Sequence, residues 1–271
     1  MINRRVTRVV LNTAEITADL TKPNGAGVAM VLDTPDALYV GYHGKFASRY
    51  LQVGTVNSNT ANLIAKYWNG SAWTDVDDFI DQTYVGGSTL GTSGFISWAN
   101  KEDWRARSLT GIDSDVSLYW IQLTVDATLS VGTTLSSILN IFSDDELLAS
   151  YYPELVSDTR FLPSGKTNFL DQHLAAKDAV VLRLKQRAMI DDESQIIDAN
   201  AVAIAAVHKA AHIIIQPIAT SDVTRELAKE AKTAFDEEIN RTSLRLDLDK
   251  DGAVSEMESG EQISVFFVRR G

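Results

Sequence analysis

LYWIQLTVDATLSVGTTLSSILNIFSDDELLAS, residues 118–150, begins in one structural grammar and ends in another. Leu118–Val125 and Ser137–Phe142 set β-branched and aromatic residues in alternation or short apolar runs, the pattern of strands with one buried face. At Ser143 the alternation stops, and Ser143-Asp144-Asp145-Glu146 supplies a helix cap with acidic residues in the first turn. The chain therefore divides at residue 142 into a β domain, 1–142, and a helical domain, 143–271.

Upstream of this point the same strand grammar repeats. Val6–Asn12, Val28–Leu32, Ala37–Tyr42, Tyr50–Val56, Ala61–Trp68 and Gly94–Trp98 are short apolar or alternating runs separated by Gly, Asn, Asp and Ser. With the two strands above they predict an antiparallel β-sandwich, jelly-roll-like in its strand number. All five tryptophans fall between Trp68 and Trp120. Trp68 and Trp120 lie in alternating patterns that point inward. Trp73 and Trp104 lie nearer turns, where exposed rings stack on sugars, so they are the candidate glycan-stacking residues.

Downstream, three longer helices are expected. The first, 168–189, places Leu170, Leu174, Val181, Leu184 and Ala188 on one stripe. The second, 195–216, is apolar nearly all round, is closed by Pro217, and is expected to be the buried centre of a small bundle. The third starts at a Ser221-Asp222 cap and carries Leu227, Ala231, Phe235 and Ile239 at helical spacing. The fold class is thus α+β multidomain: sandwich first, helices second, then an Asp-rich turn and a last strand.

That turn is Asp247-Leu-Asp-Lys-Asp-Gly-Ala-Val-Ser-Glu-Met-Glu258. Asp247, Asp249, Asp251, Ser255 and Glu258 meet the spacing of a calcium loop, with Gly252 at its sharp bend. Ser259-Gly260 breaks any exit helix, so the expected role is a structural Ca2+ staple, with a metal-free hairpin turn as the alternative. No other cofactor is expected.

Other motifs fail on spacing. Pro163-Ser-Gly-Lys-Thr167 ends like a phosphate loop, but Arg160 stands where the first glycine belongs. His208 and His212 are one helical turn apart without an evident third ligand. No Gly-x-Ser-x-Gly elbow occurs, and there is no cysteine to serve as nucleophile, thiolate ligand or disulfide. The chain is read as no enzyme. Its net charge is −11, with 10 basic and 13 acidic residues in 1–142 against 15 and 23 in 143–271, which argues against gripping a phosphate backbone. No run reaches the roughly 20 apolar residues of a membrane span, and no signal-peptide core follows the basic start, so a chain cytoplasmic at synthesis and without a membrane role is expected.

Tyr67-Trp-Asn-Gly-Ser-Ala-Trp-Thr-Asp-Val76, Asp81-Gln-Thr83, Gly94-Phe-Ile-Ser-Trp98, Asp103-Trp104 and Tyr119-Trp-Ile-Gln-Leu123 together resemble a β module that recurs in structural proteins of tailed bacteriophages. The second half resembles phage head-to-tail connector (adaptor, neck) proteins. The likeness is one of order: Asp144-Asp-Glu-Leu-Leu148 opens a short helix, Phe169-Leu-Asp-Gln-His-Leu174 leads an amphipathic one, an alanine-rich buried helix follows, and a further helix reaches the Asp-rich turn. Short connectors lack the β domain in front. The resemblance implies a structural virion protein at the head–tail junction. It would be a homo-oligomeric ring, a 12-mer, between the portal protein and the tail or a second neck protein, with DNA passing through unspecifically. In the terminal Val265-Phe-Phe-Val-Arg-Arg-Gly271, Phe266, Phe267, Arg269 and Arg270 are the candidate portal-docking residues, an ordinary edge strand being the alternative. The rival function is a carbohydrate-binding or decoration protein working through the β domain.

Overall fold

A computed structural model describes residues 7–30, 32–33, 35–109, 116–196 and 198–241. The strands are β1 Arg8–Leu11, β2 Ala14–Glu15, β3 Val28–Ala29, β4 Leu38–Tyr42, β5 Ser48–Thr55, β6 Leu63–Trp68, β7 Trp73–Asp75, β8 Asp77–Asp81, β9 Gly94–Ala99, β10 Tyr119–Val125 and β11 Thr134–Leu139. The helices are α1 Thr17–Leu20, α2 Asp145–Tyr151, α3 Pro153–Ser157, α4 Leu170–Gln186, α5 Asn200–Ile215 and α6 Asp222–Arg241.

The strands form two antiparallel sheets, ordered β2-β1-β4-β10-β6-β7 and β3-β11-β5-β9-β8. Alternation sets the faces. In β6 and β9 every second residue is buried, and Val9, Leu38, Val40, Ala65, Ile121 and Leu123 of the first sheet meet Leu51, Ile96, Leu135 and Ile138 of the second in one hydrophobic cluster. Trp98 and Trp104 belong to this cluster.

The expected core packing holds for Trp120 and is corrected for Trp68. Trp120 is buried, but away from that cluster: it packs with Val10, Leu109 and Leu118 in a separate one. It stands across from Gly41 in the β4–β10 register, where an added Cβ would lie 2.5 Å from its ring carbons. Glycine is what makes room for the indole. Trp68 is only half-buried because Leu63, Ala65 and Tyr67 take the inward positions of β6. It lies edge-on to Trp73 and under the Arg107 guanidinium, 4.0 Å from the ring centre.

The helices follow the expected plan with shorter ends. α5 packs against α4, α6 and α2, which makes it the centre of the helical part. Its small residues Ala205, Ala206, Ala210 and Ala211 are all buried, so neighbouring helices approach closely. Asn200–Ile218 is long and apolar enough to cross a membrane by composition, and 44% of that stretch is buried inside the protein. α6 buries Ala228, Ala231, Phe235 and Ile239 on one face and starts where Ser221 Oγ accepts from the Thr224 amide. The first long helix stops at Gln186 and not 189, because Ala188 turns into the left-handed region at φ 54°.

The two parts are joined through their cores. Tyr50, Leu139 and Ile141 of the strand region cluster with Leu170 of α4.

Candidate functional site

Polar groups that meet between strands and helices line a concavity. β4 ends at Tyr42, and the connection to β5 brings His43, Gly44, Lys45 and Phe46 against the segment Asp192–Ile196, which precedes α5. Gly44 is required there, since a Cβ would sit 2.4 Å from the Ser194 Cβ. His43 Nε2 and Asp192 Oδ1 are 2.8 Å apart. Asp192 also accepts from the amide and hydroxyl of Ser194, while Gln195 Oε1 accepts from the Asp192 amide, a capping box. Burial alone would raise the Asp192 pKa, but the Ser194 and His43 bonds outweigh it and bring it down to about 2.

On the other wall, Glu193 accepts from Asn140 Nδ2 and pairs with Lys177 Nζ at 3.2 Å. Lys45 Nζ donates to the carbonyls of Lys101 and Glu102. Between them lies Arg49 from β5, 2% exposed. Its guanidinium carbon stands 3.9 Å from the Phe46 ring centre and 5.1 Å from that of Tyr42. Burial lowers its pKa to about 10, with Tyr42 and Glu193 acting in the opposite direction. The space there is about 20 Å³, room for one or two water-sized groups, and it is partly open to solvent.

A second constellation has the order of a catalytic triad. Ser143 Oγ lies 2.8 Å from His173 Nδ1, and His173 Nε2 lies 3.1 Å from Asp145 Oδ1. A nucleophile must reach its substrate, and Ser143 and His173 are both fully buried. The group is a clasp: Asp145, in the first turn of α2, also accepts from the Phe169 amide, so one carboxylate ties α2 to the start of α4. The Ser143-Asp144-Asp145 segment was legible as a helix cap, and Asp144 does accept from the Leu147 amide. The partner His173 had no such signal, since it comes from a helix 28 residues away from Asp145.

Other sequence candidates fall as follows. Trp104 is 1% exposed, wedged between Phe46, Tyr67 and Tyr119, and so presents no face to a sugar; its expected stacking role is corrected by its place in the core. Trp73 is half-buried against Tyr39 and Trp68. His208 Nδ1 lies 2.7 Å from the Tyr152 hydroxyl, and His212 Nδ1 lies 3.4 Å from Lys209 Nζ, so the two rings serve different neighbours. Gly165 occupies a turn at φ 75°, and Lys166 pairs with Asp171 rather than facing an empty phosphate cradle. Among the described residues, no group of three or more His, Asp or Glu side chains is placed to hold a metal ion. Asp247, Asp249, Asp251, Ser255 and Glu258, and the docking candidates Phe266, Phe267, Arg269 and Arg270, lie outside the described residues.

No family model, curated protein or solved structure matches this chain. Its function is therefore argued from its own residues. Sequence reasoning missed Arg49 altogether. The available signal was a lone arginine in a strand whose flanking residues Tyr42, Phe46 and Tyr50 are aromatic, which is the setting of a stacked guanidinium.

Proposed function

We propose that this chain is a structural virion protein, a head-to-tail adaptor that forms a ring between the portal and the tail of a tailed bacteriophage. The observation that carries the reading is the order and packing of the helical part. A short capped helix (α2) leads to an amphipathic α4, an alanine-rich α5 enclosed by its neighbours, and a one-faced α6 that runs toward the Asp-rich segment. That is the arrangement for which the sequence resembles connector proteins. In this reading the two sheets are a jelly-roll-like sandwich that projects from a small helical bundle, and the shared Tyr50–Leu170 cluster supports a stiff joint between them.

Charge supports the same role. Residues 143–271 carry 23 acidic against 15 basic groups, and a negative lumen wall repels the DNA backbone, so DNA slides without sticking. The ring would hold twelve copies. Phe266, Phe267, Arg269 and Arg270 would dock on the portal, with the free edge of the ring meeting the tail or a second neck protein. Ca2+ would staple Asp247–Glu258, and the protein would act in the virion after assembly in the host cytoplasm, with no catalytic step.

The rival glycan-binding reading called for Trp73 and Trp104 to flank an exposed groove, and the burial of Trp104 removes half of that pair. The test of the adaptor reading is an electron cryo-microscopy map of the particle that carries the protein. A closed ring of helical domains beneath the portal is expected; density on the capsid surface or at the tail tip would overturn it.

A further inference from the structure

Arg49 is a buried cation with part of its hydrogen-bonding capacity unused. Phe46 takes one face of the guanidinium at 3.9 Å, which leaves the in-plane edges for hydrogen bonding. Nη1 donates to the Ser48 carbonyl at 2.7 Å. Nε and Nη2 have no partner, although both are sealed from solvent. These two atoms form one edge of the fork, and their N–H bonds point the same way, the geometry that chelates a single acceptor.

That edge belongs to a residue lining the junction cavity. The other charged groups there are already engaged: Lys45 by the Lys101 and Glu102 carbonyls, Glu193 by Lys177 and Asn140, and Asp192 by His43 and Ser194. A cation removed from water calls for a counter-charge or full hydrogen bonding. The cavity of about 20 Å³ exceeds the roughly 10–15 Å³ that one water-sized group requires.

We propose that the Nε–Nη2 edge of Arg49 binds one small monatomic anion, of chloride size, in the cavity between β5 and the Glu193–Ser194 turn. The anion neutralises the buried guanidinium and gives both orphan donors an acceptor. It also sits where the strand and helical parts meet, so its binding strengthens that junction. Burial disfavours the charged form of Arg49, and an anion at this edge offsets that effect.

Bromide is the probe, because it replaces chloride and is located by anomalous scattering. Crystals of the full chain grown in sodium bromide are expected to show one anomalous peak within hydrogen-bonding reach of Arg49 Nε and Nη2, and Arg49→Met crystals none. In solution the wild type is expected to melt several degrees higher in sodium chloride than in sodium gluconate of equal ionic strength. Arg49→Met should lose that difference, while Arg49→Lys, which keeps the charge without the two-pronged edge, should keep only part of it; the lysine variant decides the matter should the methionine variant not fold. Four outcomes overturn the proposal: a water in place of the peak, the Arg49 edge paired directly with Glu193, equal melting in both salts, or a bromide retained in Arg49→Met, which would be an adventitious ion only.

Discussion

Gly41 and Trp120 illustrate how a single atom sets a register. The indole fills the space that a Cβ at Gly41 would need, and the strand pairing places the two residues opposite each other. Gly41→Ala is therefore expected to destabilise the chain by about 1–3 kcal/mol through overpacking; an unchanged midpoint in chemical denaturation would contradict that account. The histidines of α5 make a second residue-scale prediction. Burial lowers the pKa of His208, with Glu238 opposing; burial, Lys209 and Lys232 lower that of His212, with Asp236 opposing. The unfolded chain then takes up these protons first, so stability is full above the ordinary value of 6.5 and falls as pH drops through it toward the lower folded values. Melting temperature should decline from pH 7 to 5, and His208→Gln/His212→Gln should flatten that slope. Asp192 acts in a separate, lower window: its contribution, present above the ordinary 3.8, is lost as pH falls toward about 2.

At the scale of elements, periodicity was a good guide wherever a segment has one buried face. The stripe Ala231, Phe235 and Ile239 was readable because α6 packs on one side only, and α5 was readable as central because it is apolar all round. Strand ends and short strands were less visible. β2, β7 and β8 are two, three and five residues long, with mostly exposed or half-buried side chains, so no alternation marks them. The junction site was not legible at all. His43 meets Asp192 across 149 positions, and its meaning depends on packing that sequence spacing does not encode. The Asp-rich segment is the opposite case, a pattern read wholly from spacing. With calcium bound only by the folded chain, chelator is expected to lower the melting temperature of the full protein, and Asp249→Ala should abolish that response; a melt indifferent to chelator would refute the calcium staple.

For the whole molecule, the central matter is where a two-part block of this kind is used. The strand and helical parts share a hydrophobic cluster and half-buried polar contacts, so they are expected to move as one piece. A ring built from the helical part would then carry its β part in a fixed direction, as a subunit of a conduit requires. Its acidic excess would face passing DNA and its charged C-terminal residues the portal. The direct measurement is an electron cryo-microscopy reconstruction of the particle at the capsid–tail junction. The account predicts a twelve-fold ring of α4–α5–α6 units beneath the portal, each with its two-sheet part in the same orientation; the protein on the capsid surface, at the tail tip, or missing from the particle would contradict it.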